Sequence, residues 1–580
     1  MSQRRIGVYV CQCGGNISDY VDVERVASQA ADNADVVIAR TAMFTCSDAT
    51  QADIAEDIRQ HQLDGLVVAS CSPKLHTLTF RGVAERAGLN PYQYTQVNLR
   101  EQCSWAHTDD RKGATDKAVT LVEAGIGRTR LTEPLNPLVV DTMPKALVIG
   151  AGITGMRAAV GLADLGMEVY LVEKQATVGG WLKSMDTMYP AGKTPKEIID
   201  QLDEQIHQRS NVTVFTEAEV VQKGGTFGNY VVKVALHRPT EQTISLNVGS
   251  IIVATGFDVY QPEIGQYGYG IDGVLTLPEF QDFLKTNPGP MVYHGRPVRT
   301  VSYIYCVGSR EGREQPNAHT YCSRYCCTST VHTALEVFKH DPGVHQYHLY
   351  RDVRTYGKYE LLYSESREKG SLYLKFAADQ PPAVERTGDQ LKVTVNDLLT
   401  SRKELAIPSD LVVLVTGIIP RENDALVHAL KLPVGKDGFY NEIHPKLRPV
   451  ETVVDGVYIA GACQNPKTAG ESAASALAAV TQSASILKKG KVQLDPQVAF
   501  IDASECTGCG ACLKVCPYEA ISAQSGDNGQ SAYVVSEAIC KGCGGCVPEC
   551  PVEAIRVQGY TNAEIRAMID GLLMEEVEQI

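Results

Sequence analysis

Eight cysteines near the C-terminus constrain this chain more than any other feature. Cys506, Cys509, Cys512 and Cys516 form C-x2-C-x2-C-x3-C, closed by Pro517; Cys540, Cys543, Cys546 and Cys550 repeat the run, closed by Pro551. Three thiolates at this spacing wrap one face of an iron–sulfur cube, and the fourth, ahead of the proline, is carried across to the other cube. The pattern predicts two [4Fe–4S] clusters with exchanged ligands: Cys506, Cys509, Cys512 and Cys550 on one, and Cys540, Cys543, Cys546 and Cys516 on the other. Gly508, Gly510, Gly542, Gly544 and Gly545 let the backbone turn tightly and aim N–H groups at the sulfurs. Zinc knuckles are the alternative, but they pair two C-x2-C units that lie far apart.

The rest of the composition narrows the setting. A chain of 580 residues exceeds what one hydrophobic core holds, so several domains are expected. A formal net charge of -14 argues against non-specific nucleic-acid binding and against docking on an anionic membrane. No apolar run is long enough to span a bilayer. The opening MSQRRIGVYVCQCGGN lacks the apolar core and cleavage site of a signal peptide, so a cytoplasmic protein is expected. In that reducing compartment structural disulfides are rare, and 18 cysteines need a metal or redox reason wherever they cluster.

Lys145–Ile149 reads as a buried parallel strand. It runs into Gly150, Gly152 and Gly155, a G-x-G-x-x-G turn that opens a helix, and a second strand, Glu168–Val172, ends at Glu173. Strand, glycine turn, helix, strand and acidic residue make up the dinucleotide fingerprint. The helix start at Ile153 and Thr154 faces the pyrophosphate, and Glu173 beside Lys174 suits the adenosine ribose. Gly179 and Gly180, followed by Trp181, come at a spacing typical of FAD folds. Ile251–Gly256, ending in Ala254, Thr255 and Gly256, and Val457–Gly461, followed by Ala462, are further strand-to-turn segments, and a small-residue helix begins near Gly470. These segments resemble the FAD-binding half of thioredoxin reductase-like flavoproteins. In that family the last helix points its N-terminus at the flavin pyrimidine, where it stabilises a reduced anionic flavin. Relatives of that kind carry a second glycine motif for NAD(P)H. Here the corresponding strand, Val301–Tyr305, runs into Cys306-Val307-Gly308-Ser309-Arg310, and no such motif follows. Direct nicotinamide binding is therefore expected to be absent or degenerate.

Cys306 is followed by Cys322, Cys326 and Cys327. Four cysteines so close match one more cube, although a buried-core reading stays open on spacing alone. The order C…C-x3-C-C at this place resembles the HdrA family, the iron–sulfur flavoproteins of heterodisulfide reductase, as do YRDVRTYGKYELLY (Tyr350–Tyr363) and GACQNPK (Gly461–Lys467). The resemblance implies that a cluster near the flavin replaces nicotinamide binding. Two departures stand out. Some larger members insert an extra ferredoxin-like module, yet no cysteine lies between Lys183 and Thr255. Methanogen-type members also place a lysine, implicated in bifurcation near the flavin, where this chain has His332. His332 is thus the candidate catalytic group, titrating near neutral pH, with a plain helix residue as the alternative.

The first 135 residues hold Cys11, Cys13, Cys46, Cys71 and Cys103. Ile6–Val10 and Leu66–Ala69 read as buried strands, so Cys11, Cys13 and Cys71 lie at strand C-terminal ends, where α/β folds build sites. Cys46 and Cys103 fall in polar turns. Spacing leaves a cluster and free thiols equally open; the family resemblance (CQCGGNI, VVASCSPKLHTLTFR, NLREQCSW) implies a cluster. One of the five is then spare, and Cys11 or Cys13 is the expected one. His76 is read as structural.

The fold expected is multidomain α/β: an N-terminal α/β domain (1–135), a Rossmann-type FAD domain (140–260 and 410–490) split by an inserted α/β domain (261–409), and a C-terminal two-[4Fe–4S] ferredoxin domain (495–558). A charged amphipathic helix in 559–580 is available to packing or to a partner. Flavin takes two electrons and releases them singly, whereas each cube moves one. The resemblance implies an oxidoreductase component with FAD and four [4Fe–4S] clusters in a heterodisulfide reductase-like complex. The same resemblance implies HdrB- and HdrC-like partners, a hydrogenase, formate- or NADH-oxidising donor module, ferredoxin as a further acceptor, and a homodimer of the complex. Rival readings are a free-standing NAD(P)H-dependent oxidoreductase and an electron-transfer component of a quinone-linked or benzoyl-CoA reductase-type complex.

Overall fold

The computed structural model describes residues 3–185, 187–189, 193–238, 240–314, 317–400, 403–525 and 531–577. Four apolar runs near the N-terminus pair in parallel, in the order Val36–Ala42, Ile6–Cys11, Gly65–Ser70, Tyr94–Asn98. The two inner strands are wholly buried, so both faces need cover. Helices Val23–Ala31 and Arg111–Leu131 bury Val26, Ala118 and Val122 against Val8 and Val10, while Asp48–Gln60 and Pro73–Ala87 bury Ile54, Phe80 and Val83 against Tyr9 and Leu66. Each helix starts where a side chain accepts a backbone N–H: Asp22, Asp110, Ser47 and Ser72.

This layer belongs to a discontinuous unit that also takes in the residues from Gln493 onward. The C-terminal helix Asn562–Val577 lies on Arg111–Leu131 along a seam of small residues. A Cβ on Gly127 would sit 2.7 Å from the Ala567 carbonyl oxygen, and one on Gly571 2.7 Å from Ala124 Cα. Arg128 donates to the Gly559 carbonyl (2.7 Å) and lies over the Tyr560 ring. Of the two uses the sequence leaves open for this helix, packing and a partner, the fold shows packing within the chain. Ahead of it, the ferredoxin segment forms two antiparallel ribbons, Ala499–Ile501 with Ile555–Val557 and Ile521–Ser525 with Ser531–Val535.

The second unit, Asp141–Val492, repeats one design twice. A five-stranded parallel sheet runs Val457–Ile459, Ser250–Val253, Lys145–Ile149, Glu168–Val172, Val212–Phe215, and carries an antiparallel meander made by Ala218–Thr226, Asn229–Leu236 and Gln242–Val248. The inserted sheet runs Val274–Thr276, Leu411–Thr416, Thr300–Val307, His345–Tyr350, Leu372–Lys375, with its own meander of Ala383–Thr387, Gln390–Asp397 and Lys403–Ser409. Leu411–Thr416 thus joins the inserted sheet, whereas the boundary expected at 410 assigns it to the FAD domain. The Val-Thr-Gly ending of this buried strand mimics Val-Ala-Thr-Gly at the end of Ser250–Val253, because each closes a meander and returns the chain to its sheet. The crossover between the halves is Phe257–Val259 paired antiparallel with Ile418–Pro420. Among the described residues no helix is long and apolar enough to cross a membrane.

Candidate functional site

The glycine turn after Lys145–Ile149 is shaped by close approach. Gly150 takes φ +99°, and a Cβ on Gly155 would lie 1.7 Å from the Gly150 carbonyl oxygen, so the helix Ile153–Asp164 reaches the strand only because side chains are missing. The Gly179–Gly180 loop closes over the turn: Gly179 N–H donates to the Ala151 carbonyl (2.8 Å), and Gly180 faces Gly152. Gly461, at φ +77°, abuts Thr154, and Ala462 is buried beside it. Together with Gly256 these positions leave bare backbone around a helix N-terminus, a cradle that added Cβ atoms would fill and that fits the pyrophosphate and ribityl parts of FAD. Thr255, Asn423 and Tyr440 bring their polar groups together here, buried next to Ala254, with Thr255 and Asn423 interacting with the Tyr440 hydroxyl. Asn423 and Tyr440 carry no motif, and sequence reasoning misses them. Glu173 accepts from Ala151 N–H (2.6 Å) and Gln175 N–H (2.9 Å), bracing the glycine turn. Lys174 instead pairs with Glu219 on the meander. Lys467 donates to the Gly461 carbonyl (3.1 Å) and Gln464 Oε1 (2.8 Å), and burial lowers its pKa.

A line of rings leaves this cradle. Trp181 donates Nε1–H to the Phe257 carbonyl (2.9 Å) and stacks on the Phe257 ring at 5.9 Å; Phe257 lies 6.5 Å from Tyr325, which directly precedes Cys326. Cys326 and Cys327 open the helix Cys326–His340, and Cys306 is the penultimate residue of the strand Thr300–Val307, at φ +65°. Cys306, Cys326 and Cys327 are buried, with Cys322 half-buried, and the four thiols act on one another electrostatically. Contact with Cys327 and burial push the Cys326 thiol well up, while hydrogen bonding from Cys326 outweighs burial and lowers Cys327. Burial raises Cys306, opposed by Arg351 and Arg310. Arg310 and Arg351 reach the Cys306 thiol, and Ser309 Oγ is buried beside them, donors that fit the sulfurs of an anionic cluster. His332, further along the helix, lies 3.6 Å from Glu336 and faces the Tyr189 ring at 6.4 Å; burial lowers its pKa. At the place of a second glycine turn, the Tyr260 ring covers Gly308, 2.0 Å from where a Cβ would stand.

In the first unit, Cys11 ends one strand and Cys71 follows the adjacent one, Cys13 holds φ +53°, and Cys46 precedes the helix Asp48–Gln60. Arg100 Nη1 donates to Cys13 Sγ (3.7 Å) and Thr45 N–H to Cys11 Sγ (3.4 Å). Burial raises Cys46, with Cys11 and Cys13 adding to it; burial raises Cys71 to about 11, with Arg100 opposing and Cys13 and Cys11 adding. Cys103 stands apart. It is fully buried in the turn Arg100–Ser104 among Leu99 and Ala114, raised to about 11 by burial with Lys117 opposing. The sequence points to Cys11 or Cys13 as the odd thiol of the five; in the fold Cys46 and Cys71 each feel Cys11 and Cys13, while Cys103 is buried in the core. Arg100 and Cys103 sit three residues apart on one tight turn, and the turn that aims Arg100 at Cys13 sends Cys103 into the core instead of a polar loop. His76 touches Thr79 and the edge of Phe80.

The ferredoxin segment encloses two cavities. One is lined by Cys516, Cys540, Cys543 and Cys546 with Ile521 and Val535; the other by Cys506, Cys509, Cys512 and Cys550 with Ile501 and Tyr533. The exchange of the fourth cysteine read from the sequence is the grouping the fold produces. Backbone N–H groups of Ala499 and Gly542 reach Cys540 Sγ (3.4 and 3.5 Å), and that of Ala520 reaches Cys516 Sγ (3.3 Å). Gly542, at φ +61°, admits no side chain: a Cβ would lie 2.1 Å from the Gln497 carbonyl oxygen.

Residues 144–291 match the family model described as pyridine nucleotide-disulphide oxidoreductase, and residues 496–563 the 4Fe-4S dicluster domain. Fold and cysteine cavities thus define an iron–sulfur flavoprotein oxidoreductase carrying FAD and [4Fe–4S] clusters. The chain is 34% identical to an HdrA-type iron–sulfur component of the CoB--CoM heterodisulfide reductase of Methanopyrus kandleri, over 89% of this chain and 91% of that one. It is 34% identical to the corresponding component of the H(2):CoB-CoM heterodisulfide,ferredoxin reductase of Methanothermobacter thermautotrophicus, over 91% and 92%. It is 32% identical to that of the H(2)/formate:CoB-CoM heterodisulfide,ferredoxin reductase of Methanococcus maripaludis, over 99% of both. The chain belongs to the HdrA family of heterodisulfide reductases and is their flavin and iron–sulfur electron-transfer component.

Proposed function

We propose that this chain takes electrons from a donor module, converts pairs to single electrons at FAD, and passes them through four clusters to HdrB- and HdrC-like partners that reduce a disulfide, and to ferredoxin. FAD, when bound, supplies the change from two-electron to one-electron chemistry. The observation that carries the reading is the short aromatic line Trp181, Phe257, Tyr325 from the glycine cradle to Cys326, which joins the flavin region to a cysteine quartet inside one unit.

The residues take these roles. Gly150, Gly152, Ile153, Thr154, Gly155, Gly179, Gly180, Thr255, Gly256 and Gly461 hold FAD, with Glu173 bracing the turn. Cys306, Cys322, Cys326 and Cys327 hold the middle cluster, and Arg310 and Arg351 offset its negative charge. Cys11, Cys13, Cys46 and Cys71 hold a third type of site, beside Arg100. The two exchanged quartets of the ferredoxin segment complete the set. Tyr260 over Gly308 disfavours a dinucleotide at the second turn, which supports a protein donor (hydrogenase, formate- or NADH-oxidising) over direct use of NADH. The relatives' names include hydrogen, formate and ferredoxin as reactants.

Iron, acid-labile sulfide and flavin per chain on anaerobically purified protein test this reading, together with an NADH bleaching trial. About sixteen irons and one FAD without bleaching are expected. About eight irons with rapid bleaching would sink it in favour of a free-standing NADH oxidoreductase. The bifurcating form requires more: with partners present, ferredoxin reduction must stop when the disulfide is withheld.

A further inference from the structure

Arg324 sits between Cys322 and Cys326 in the left-handed region, at φ +60°. A non-glycine residue there is strained and persists where its surroundings fix it. Two sets of contacts do so. Its backbone N–H donates to Cys322 Sγ (3.4 Å). Its guanidinium donates to Glu471 Oε1, to the Pro466 carbonyl (3.3 Å) and to Tyr356 OH (3.3 Å). Tyr356 OH in turn donates to the same Glu471 oxygen (2.9 Å).

Glu471 is the third residue of the helix Ala469–Leu487, and its other oxygen accepts from Thr468 N–H (2.9 Å) in a reciprocal cap. That helix follows the Gly461–Lys467 turn of the flavin cradle. Its N-terminus carries about half a positive charge, and a bare carboxylate there would cancel it. Burial would raise the Glu471 pKa, but Thr468, Tyr356 and Arg324 lower it, so the carboxylate is ionised.

We propose that Arg324 is a positioning residue for electron exchange between the flavin and the middle cysteine quartet. Its backbone fixes Cys322, and its side chain neutralises Glu471 so that the helix N-terminus stays electropositive toward a reduced flavin. One residue thereby ties the cluster loop to the electrostatics of the flavin. This rests on the reading that FAD and a middle cluster occupy these places.

The test uses the full chain with its cofactors, and the readouts are the flavin midpoint potential and the paramagnetic signal of the middle cluster. Asn tolerates φ > 0, so Arg324→Asn removes the charge while keeping the backbone donor. Arg324→Asn should make the flavin about tenfold harder to reduce, which is about 30 mV for a two-electron couple. Arg324→Lys should restore most of the shift, and Glu471→Gln should make the flavin easier to reduce. With FAD and all iron in place, an unshifted potential in Arg324→Asn, or equal shifts in the Asn and Lys variants, overturns the proposal. Should Arg324→Asn lose its cofactors, Glu471→Gln decides: a flavin not made easier to reduce overturns it. A wild-type chain lacking FAD, or lacking the middle cluster's irons, would instead refute the underlying reading.

Discussion

Gly155→Ala tests whether the flavin cradle depends on backbone contact. The added methyl would stand 1.7 Å from the Gly150 carbonyl oxygen, 2.9 Å from its carbon and 3.4 Å from Val148 Cγ1. The nearest atoms are backbone, in a turn whose φ of +99° leaves few alternatives, so the helix Ile153–Asp164 must lift from the strand. Overpacking of this kind costs about 1–3 kcal/mol. The displaced turn is also the pyrophosphate seat, so a similar loss falls on cofactor binding, roughly 5- to 150-fold in FAD affinity. Retention of FAD on dialysis, and thermal unfolding with and without added FAD, measure both. Gly161→Ala in the same helix is the control. Its Cβ would meet side chains alone, Val480 at 3.2 Å and Leu477 at 3.8 Å, and alanine gains up to about 1 kcal/mol of helix propensity. Gly155→Ala binding FAD as tightly as the wild type, or Gly161→Ala doing equal damage, would refute the reasoning.

Other perturbations report on the cysteine sites and on one buried imidazole. Cys550→Ala should remove about four irons and spare the cluster that takes Cys516, and Cys516→Ala should do the reverse, read from iron counts and the loss of one of two coupled paramagnetic signals. Cys46→Ala should cost about four irons whereas Cys103→Ala should keep the full complement; equal losses would undo the separation of Cys103 from its neighbours. His348 is fully buried between the Tyr303 and Tyr373 rings (4.7 and 4.4 Å), and burial lowers its pKa to about 3. The native state therefore stays unprotonated while the unfolded chain gains a proton below about pH 6.5, so stability is present above that value and is lost as pH falls toward 3. His348→Phe keeps the stack and removes this dependence. Its deficit in unfolding temperature against wild type should narrow from pH 7 to about pH 5, and a constant deficit would count against the assignment.

The parts of the site legible in the sequence are those whose spacing is itself the geometry. In C-x2-C-x2-C-x3-C-P the chain wraps the cavity locally, and Gly150 and Gly155 mark a turn that a side chain would block. What stays hidden depends on loops brought together by the sheet. Cys46 and Cys71 meet Cys11 and Cys13 only because three parallel strands end at one edge, and a tight turn that buries Cys103 leaves no periodic trace. Asn423, Tyr440 and Arg324 are ordinary polar residues until folding surrounds them. The boundary near 410 misleads for a related reason: two sheets built to one plan end their central strands in nearly the same letters.

The seam between Arg111–Leu131 and Asn562–Val577 also has a bearing on synthesis. Arg128 waits for a partner 431 residues downstream. At about 5–20 residues per second, the ribosome delivers that partner some 20–90 s later. Throughout that interval the nascent N-terminal layer presents Ala124 and Gly127 uncovered. Assembly of the first unit is thus postponed until the flavoprotein has emerged, and any chaperone or cluster-loading factor that acts on this chain has that window in which to do so.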